Sequence, residues 1–344
     1  MNERHTFFCN NIIVTLVCML VAAGCSESGV KTCDLSDYKV ESCTLQVHRL
    51  YSVLIFPQSI NAYQNYIIVM EPGRNDSLIS VFSRDNLKYL FSGLQMGRAK
   101  NEMFSLYKDF FAYTDSSFFL LSQNNIVKEW KLNGDSIAFI GEDKIESSDA
   151  LNHVLRIGKG KYVTAGLTDG SGNEHFLYTS GKSIGFGNYP EPKPEGTSNF
   201  YLNISMSAGM EGKDRIWDFS KGCDLVRSYD LDGNLMETIK IINDERQPTS
   251  NKNEDDYSLC YYNIAWNKSY IAVLYNVVLP RKDYYDKELG SCPWELQLWT
   301  WDGKLKRRLK FDHAFNMYTI SDDNILYAMW NVNPNVLYTY DLNK

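Results

Sequence analysis

An internal repeat constrains this chain more than any other feature. A strand rich in aromatic and β-branched residues runs into a tight turn six times: "ISVFSRDN" (79–86), "VKEWKLNGD" (127–135), "HFLYTSGK" (175–182), "RSYDLDGN" (227–234), "LWTWDGK" (298–304) and "LYTYDLNK" (337–344). Upstream of each copy lies another strand: "YIIVME", "FFLLSQ", "KYVTAG", "RIWDFS", "YIAVLY" and "NILYAMW". More polar strands such as "YYNIAW" and "FNMYTI" precede these. The 300 residues 45–344 therefore divide into six units of 50, close to the size of a four-stranded propeller blade. The pattern predicts an all-β fold, a six-bladed β-propeller of four-stranded antiparallel blades with strands a to d in each.

The last unit has a, b and c but no d, and a bare strand edge invites aggregation. The orphan segment "CTLQVHRLYSVLI" (43–55) precedes the first unit. Pairing it beside strand c of the last blade closes the ring.

Residues 1–24 are expected to be a signal peptide. The apolar run "IIVTLVCMLVAA" (12–23) is twelve residues long, short of the roughly 20 that a spanning helix needs. It ends in "VAAGC", small residues directly before Cys25, which resembles the lipobox of bacterial lipoproteins, with Cys25 as the lipidated residue. Residues 25–44 read as the lipidated N-terminus and a polar tether, and 45–344 as the propeller. Acyl chains on Cys25 would anchor the protein to a membrane; Ser26 lacks an aspartate-type retention signal, which favours the outer over the inner membrane.

Eight cysteines are present; two leave with the signal and Cys25 takes lipid, so Cys33, Cys43, Cys223, Cys260 and Cys292 remain. The envelope permits disulfides, with Cys33–Cys43 and Cys260–Cys292 as the pairs to consider. The net charge of −7 and the lack of a basic run argue against nucleic acid. A monomer is expected.

The lipobox, the six units and "GLQMGRAKNEM" after the first blade resemble the TolB-like six-bladed β-propeller lipoproteins of Gram-negative bacteria. Gly97, Arg98, Asn101 and Glu102 fit that family's Gly-x-Gly-Pro-x-Glu phrase, whereas Ala99 and Lys100 depart from it. The resemblance implies a fold and an envelope address more than an activity.

Loop lengths divide the two faces of the ring. The a-to-b and c-to-d turns are short, whereas the b-to-c and d-to-a connections include "LQMGRAKNEM", "NYPEPKPEGTSN" and "NVVLPRKDYYDKELGSCPW". Recognition concentrates in long loops on a rigid scaffold. The longest carries Arg281, Lys282, Tyr284, Tyr285 and Trp294, a composition typical of binding hot spots and equally of a local mini-core. Near the starts of the a strands stand Asn61, Asp109, Asn152, Asn203, Asn263 and Asn316. They are expected to ring the channel mouth, as ligand contacts or as partners of neighbouring backbone and water; Arg98 and Glu102 complete the candidate binding residues.

GxSxG, HExxH, P-loop and EF-hand patterns are missing from the sequence, and the histidines of the mature chain stand singly. The expectation is therefore a non-catalytic binding module with no cofactor, using the long-loop face to engage a protein, peptide or glycan. The alternative is a lactonase-like calcium-dependent hydrolase in which Asp109, Glu102 and the Asn ring hold the ion at the channel mouth.

Overall fold

The computed structural model describes residues 29–50, 54–74, 76–147, 151–166, 172–189, 204–245, 259–277 and 294–344. Three strands of the N-terminal segment come first: β1 (Val30–Asp34), β2 (Val40–Cys43) and β3 (Gln46–Arg49). Blade 1 comprises β4 (Ser59–Tyr63), β5 (Tyr66–Arg74), β6 (Ser77–Ser83) and β7 (Tyr89–Gln95). Blade 2 follows with β8 (Ala112–Tyr113), β9 (Phe118–Ser122), β10 (Ile126–Asn133) and β11 (Ser136–Lys144). Blade 3 is β12 (Leu155–Gly158), β13 (Lys161–Ala165), β14 (Asn173–Thr179) and β15 (Lys182–Asn188). Blade 4 is β16 (Ser205–Ala208), β17 (Arg215–Ser220), β18 (Leu225–Asp230) and β19 (Leu235–Ile242). Blade 5 contains β20 (Tyr261–Trp266), β21 (Tyr270–Asn276), β22 (Trp294–Thr300) and β23 (Leu305–Phe311). Blade 6 has three strands of its own, β24 (Met317–Ile320), β25 (Ile325–Met329) and β26 (Val336–Asp341).

The fourth strand of blade 6 is β3, antiparallel to β26 with Leu337 opposite His48 and Tyr338 opposite Val47. The expected six-bladed, four-stranded architecture and its closure by the N-terminal segment are both present. The pairing strand is 46–49, shorter than the 43–55 read from sequence.

The segment 25–44 differs from a tether wherever it is described. Strand β1 pairs parallel to β19 and β2 pairs parallel to β23, so each adds a fifth strand to the rim of blades 4 and 5. Arginines of β23 hold it there: Arg308 donates to the carbonyls of Leu35 (2.7 Å) and Tyr38 (3.2 Å), and Arg307 pairs with Glu41 at 2.6 Å. Only Cys33 of β1 and Cys43 of β2 turn fully inward, which is why the sequence reads as polar linker. These two cysteines sit on different blades and are not bonded to each other; Cys43 Sγ donates to the Tyr340 hydroxyl at 3.3 Å. The Cys260–Cys292 pairing involves a residue outside those described, as does Cys25.

The inner strands are apolar because both of their faces are covered. All five residues of β9 are buried, and so are the central five of β22; β19, on the outside, alternates toward exposure. The described core falls into six clusters, one at each seam between neighbouring blades. Each large side chain buried there contributes about 1.5–3 kcal/mol. The Asp-Gly turns serve the same seams. Gly303 has φ +79°, and a Cβ there would lie 2.2 Å from Trp217 of the preceding blade; Gly233 has φ +87° and faces Phe186 at 2.7 Å. No helix among the described residues is long and apolar enough to cross a membrane.

Candidate functional site

The a strands line a central channel, and its two ends differ in chemistry. Toward the plain face the short turns converge and bond to one another across the ring. Lys268, in the β20–β21 turn of blade 5, reaches Asp115 of blade 2 at 2.8 Å and Asp322 of blade 6 at 3.5 Å. Tyr113 donates its hydroxyl to Asp322 at 2.9 Å, and Gln64 donates to the Asp115 carbonyl at 2.7 Å. Burial, with the Asp322 charge beside it, pushes the Tyr113 phenol well above its ordinary pKa and keeps it a donor. A small cavity of about 100 Å³ lies beside Gln64, Tyr113, Asp115 and Asp322. The turns of blades 1, 2, 5 and 6 are thus tied together at the plain end.

Toward the long-loop face lies an open cavity of about 590 Å³, within the range of small-molecule sites. Its mouth carries Phe56, 72% exposed, at the end of the β3–β4 connection. The buried carboxylate of Glu71 accepts the Ile55 and Phe56 backbone N–H groups, the latter at 2.9 Å, and so fixes that rim.

Asn61, Asp109, Asn263 and Asn316 of the expected ring line this cavity. Two of them are also tied to backbone: Asn263 donates to the Asn316 carbonyl (2.9 Å) and accepts from Ile264 N–H (2.8 Å), while Asn316 accepts from Asn331 N–H (3.2 Å) and donates to its side chain (2.9 Å). Asn152 does not line the wall; its neighbour His153 does. The cause is local backbone, since His153 has φ +45° in the left-handed region, uncommon for a residue other than glycine, and this rotates the ring position by one residue. Asn203 lies outside the described residues.

Arg98 and Glu102 belong to a clasp between blades 1 and 2. Glu102 accepts the Ala99 N–H at 2.8 Å and packs where a Cβ on Gly97 would sit, 2.0 Å from its oxygen. Lys128 of blade 2 donates to the carbonyls of Lys100 (2.9 Å) and Glu102 (2.7 Å), and Arg98 lies over Phe104 at 5.2 Å. With Glu102 engaged away from the cavity, Asp109 is the one carboxylate among the described lining residues, whereas a calcium site needs six to eight oxygens. Trp294 opens β22 and packs edge-to-face on Tyr262 at 4.8 Å within the seam of blades 5 and 6. Arg281, Tyr284 and Tyr285 lie outside the described residues.

Behind the cavity wall, at the seam of blades 3 and 4, sits an ion network that no motif announced. His175 and Asp218 meet at 2.5 Å, Arg227 pairs with Glu174, and Ser205 donates to Glu174 at 2.5 Å. His175, Asp218 and Glu174 are at most 1% exposed. Burial alone would depress the His175 pKa, but the charge and hydrogen bond of Asp218, then Glu174, outweigh it and raise it. The Asp218 pKa is lowered despite its burial, because His175 faces it. One donor atom each from Glu174, His175 and Asp218 lie within 4.8 Å of one another. His175 faces Asp218 and Arg227 faces Glu174, so the cluster reads as a buried double ion pair.

No family model and no curated protein matches the chain. Solved structures do. A member of the DUF4221 family from Bacteroides vulgatus aligns with 10% identity over 88% of this chain and 96% of its own, at TM-score 0.56. A Bacteroides fragilis protein described as exported aligns with 12% identity over 84% and 88% respectively, at TM-score 0.52. At these identities the likeness is one of fold.

Proposed function

We propose that this protein is an exported, lipid-anchored binding module of the cell envelope. In this reading its ligand enters the central pocket from the long-loop face, and the loops around the mouth engage the remainder of a protein, peptide or glycan. One observation carries the proposal: Lys268, Asp115, Asp322 and Tyr113 bond the plain end together, while the loop end stays open with Phe56 fixed at its rim. The lipobox at Cys25 and the TolB-like resemblance support an anchored address, and the exported description of the B. fragilis protein agrees with it.

The test is binding of the purified protein to glycan and peptide arrays, repeated with Phe56→Ala and Asn61→Ala. Binding that weakens with both substitutions is expected; binding indifferent to both, in variants with unchanged Tm, would contradict the pocket. Lipid labelling that survives Cys25→Ser would contradict the anchor.

A further inference from the structure

We propose that the pocket takes a small polyol bearing an oxyanion, a carboxylate or phosphate ester, with the oxyanion seated at the wall formed by Lys108, His153 and Lys221. This rests on the reading of the channel as the ligand site and assigns the ligand's chemistry. The lining is polarised. Its ionisable groups, Lys108, Asp109, His153 and Lys221, all come from the side of blades 2, 3 and 4, while blades 5, 6 and 1 contribute carboxamides and aromatic rings. Asp109 raises the His153 pKa, whereas Lys221, His175 and Lys108 lower it. Among the described lining residues two lysines, Lys108 and Lys221, stand with one carboxylate, Asp109, in a chain whose net charge is −7. Lysine side chains lining the pocket favour an anion at this wall.

His153 is the group least explained by folding. Its ring faces the cavity, no described residue hydrogen-bonds it, and its backbone is left-handed at φ +45°. Strained conformations of this kind gather at ligand sites. Burial, then the neighbouring cations, hold its pKa down to about 4 against the pull of Asp109, so the empty pocket presents a neutral imidazole. An anion beside it favours the imidazolium, and binding should therefore take up a proton.

The opposite wall suits a polyol. Asn61 and Asn331 line the same cavity, and the Asn61 carboxamide oxygen and the Asn331 amide nitrogen have no described hydrogen bond. Phe56, exposed and fixed through Glu71, offers a flat face for a sugar ring.

Calorimetric titration of the purified protein with glucuronate, glucose 6-phosphate, inorganic phosphate and glucose, at pH 5.5 and 7.5, tests this. Glucuronate or glucose 6-phosphate should bind at least about tenfold more tightly than glucose, more tightly at pH 5.5, and with proton uptake. Lys108→Met, at an exposed position, and His153→Asn should each weaken the anion about tenfold, and Asp109→Asn should strengthen it. Inorganic phosphate binding as well as the sugar phosphate supports the oxyanion seat and assigns it to the free ion. Glucose and glucuronate binding alike, or anion binding unaffected by Lys108→Met, overturns the inference. Array binding that persists while no anion binds overturns it too and leaves the proposed function standing.

Discussion

Two ion networks, one at the plain end of the channel and one in the seam of blades 3 and 4, differ in environment and so in the work they do. The network of Lys268, Asp115 and Asp322 is in water, with side chains 53%, 90% and 41% exposed. That of Glu174, His175, Asp218 and Arg227 is sealed between blades 3 and 4, at no more than 9%. Exposed pairs are screened and contribute little to stability; a buried pair is expensive to break because the survivor keeps its charge without a partner. The plain-end network is therefore a light tie, whereas the buried one locks blade 3 to blade 4.

The largest test of this contrast is Asp218→Ala. It leaves the His175 imidazole uncompensated and should cost about 3–5 kcal/mol in denaturant unfolding. A loss below about 1 kcal/mol, the range of exposed pairs, would mean the network is not dry.

The pH dependence comes next. The His175 pKa is raised above its ordinary 6.5, so its contribution is complete below that value and fades as pH climbs through the folded-state pKa. His153 moves the other way, from 6.5 to about 4; the folded form resists the proton, and stability is lost as pH falls through that window. Tm should peak near pH 6.5, with His175→Gln flattening the alkaline limb and His153→Asn the acid limb. Profiles unchanged by both substitutions would contradict the assignment.

The smallest effect on stability belongs to Lys268→Ala. It should leave Tm within error while speeding amide exchange in the turns at 113–117 and 321–324. A drop in Tm comparable to that of Asp218→Ala would erase the distinction between the two networks. Chelator should shift neither Tm nor ligand binding; a shift would revive a calcium ion at Asp109 and the Asn ring.

The ring was legible because each blade repeats one phrase: an apolar strand flanked by tight turns, with Gly233 and Gly303 where the turn needs both a positive φ and bare space. Its closure could be read from the missing strand of the last unit. Strands β1 and β2 could not be, because they add by backbone pairing along polar segments and turn only Cys33 and Cys43 fully inward. The Asn ring was half legible. Strand alternation places Asn61 and Asn263 on the channel wall, but alternation says nothing of the left-handed turn that puts His153 where Asn152 was expected. The buried ion network was hidden for a different reason: Glu174 and His175 stand on β14 of blade 3, Asp218 and Arg227 on β17 and β18 of blade 4. No spacing within one repeat joins them. The tie made by Lys268 was hidden likewise, in a turn whose shortness made it look inert.

A crystal structure of the protein with glucuronate or glucose 6-phosphate tests the central claim most directly. An oxyanion is expected in hydrogen-bond reach of Lys108 and His153, with the sugar against the carboxamide wall and solvent reaching the ligand through the mouth beside Phe56. Ligand between Lys268 and Asp115 would contradict that claim.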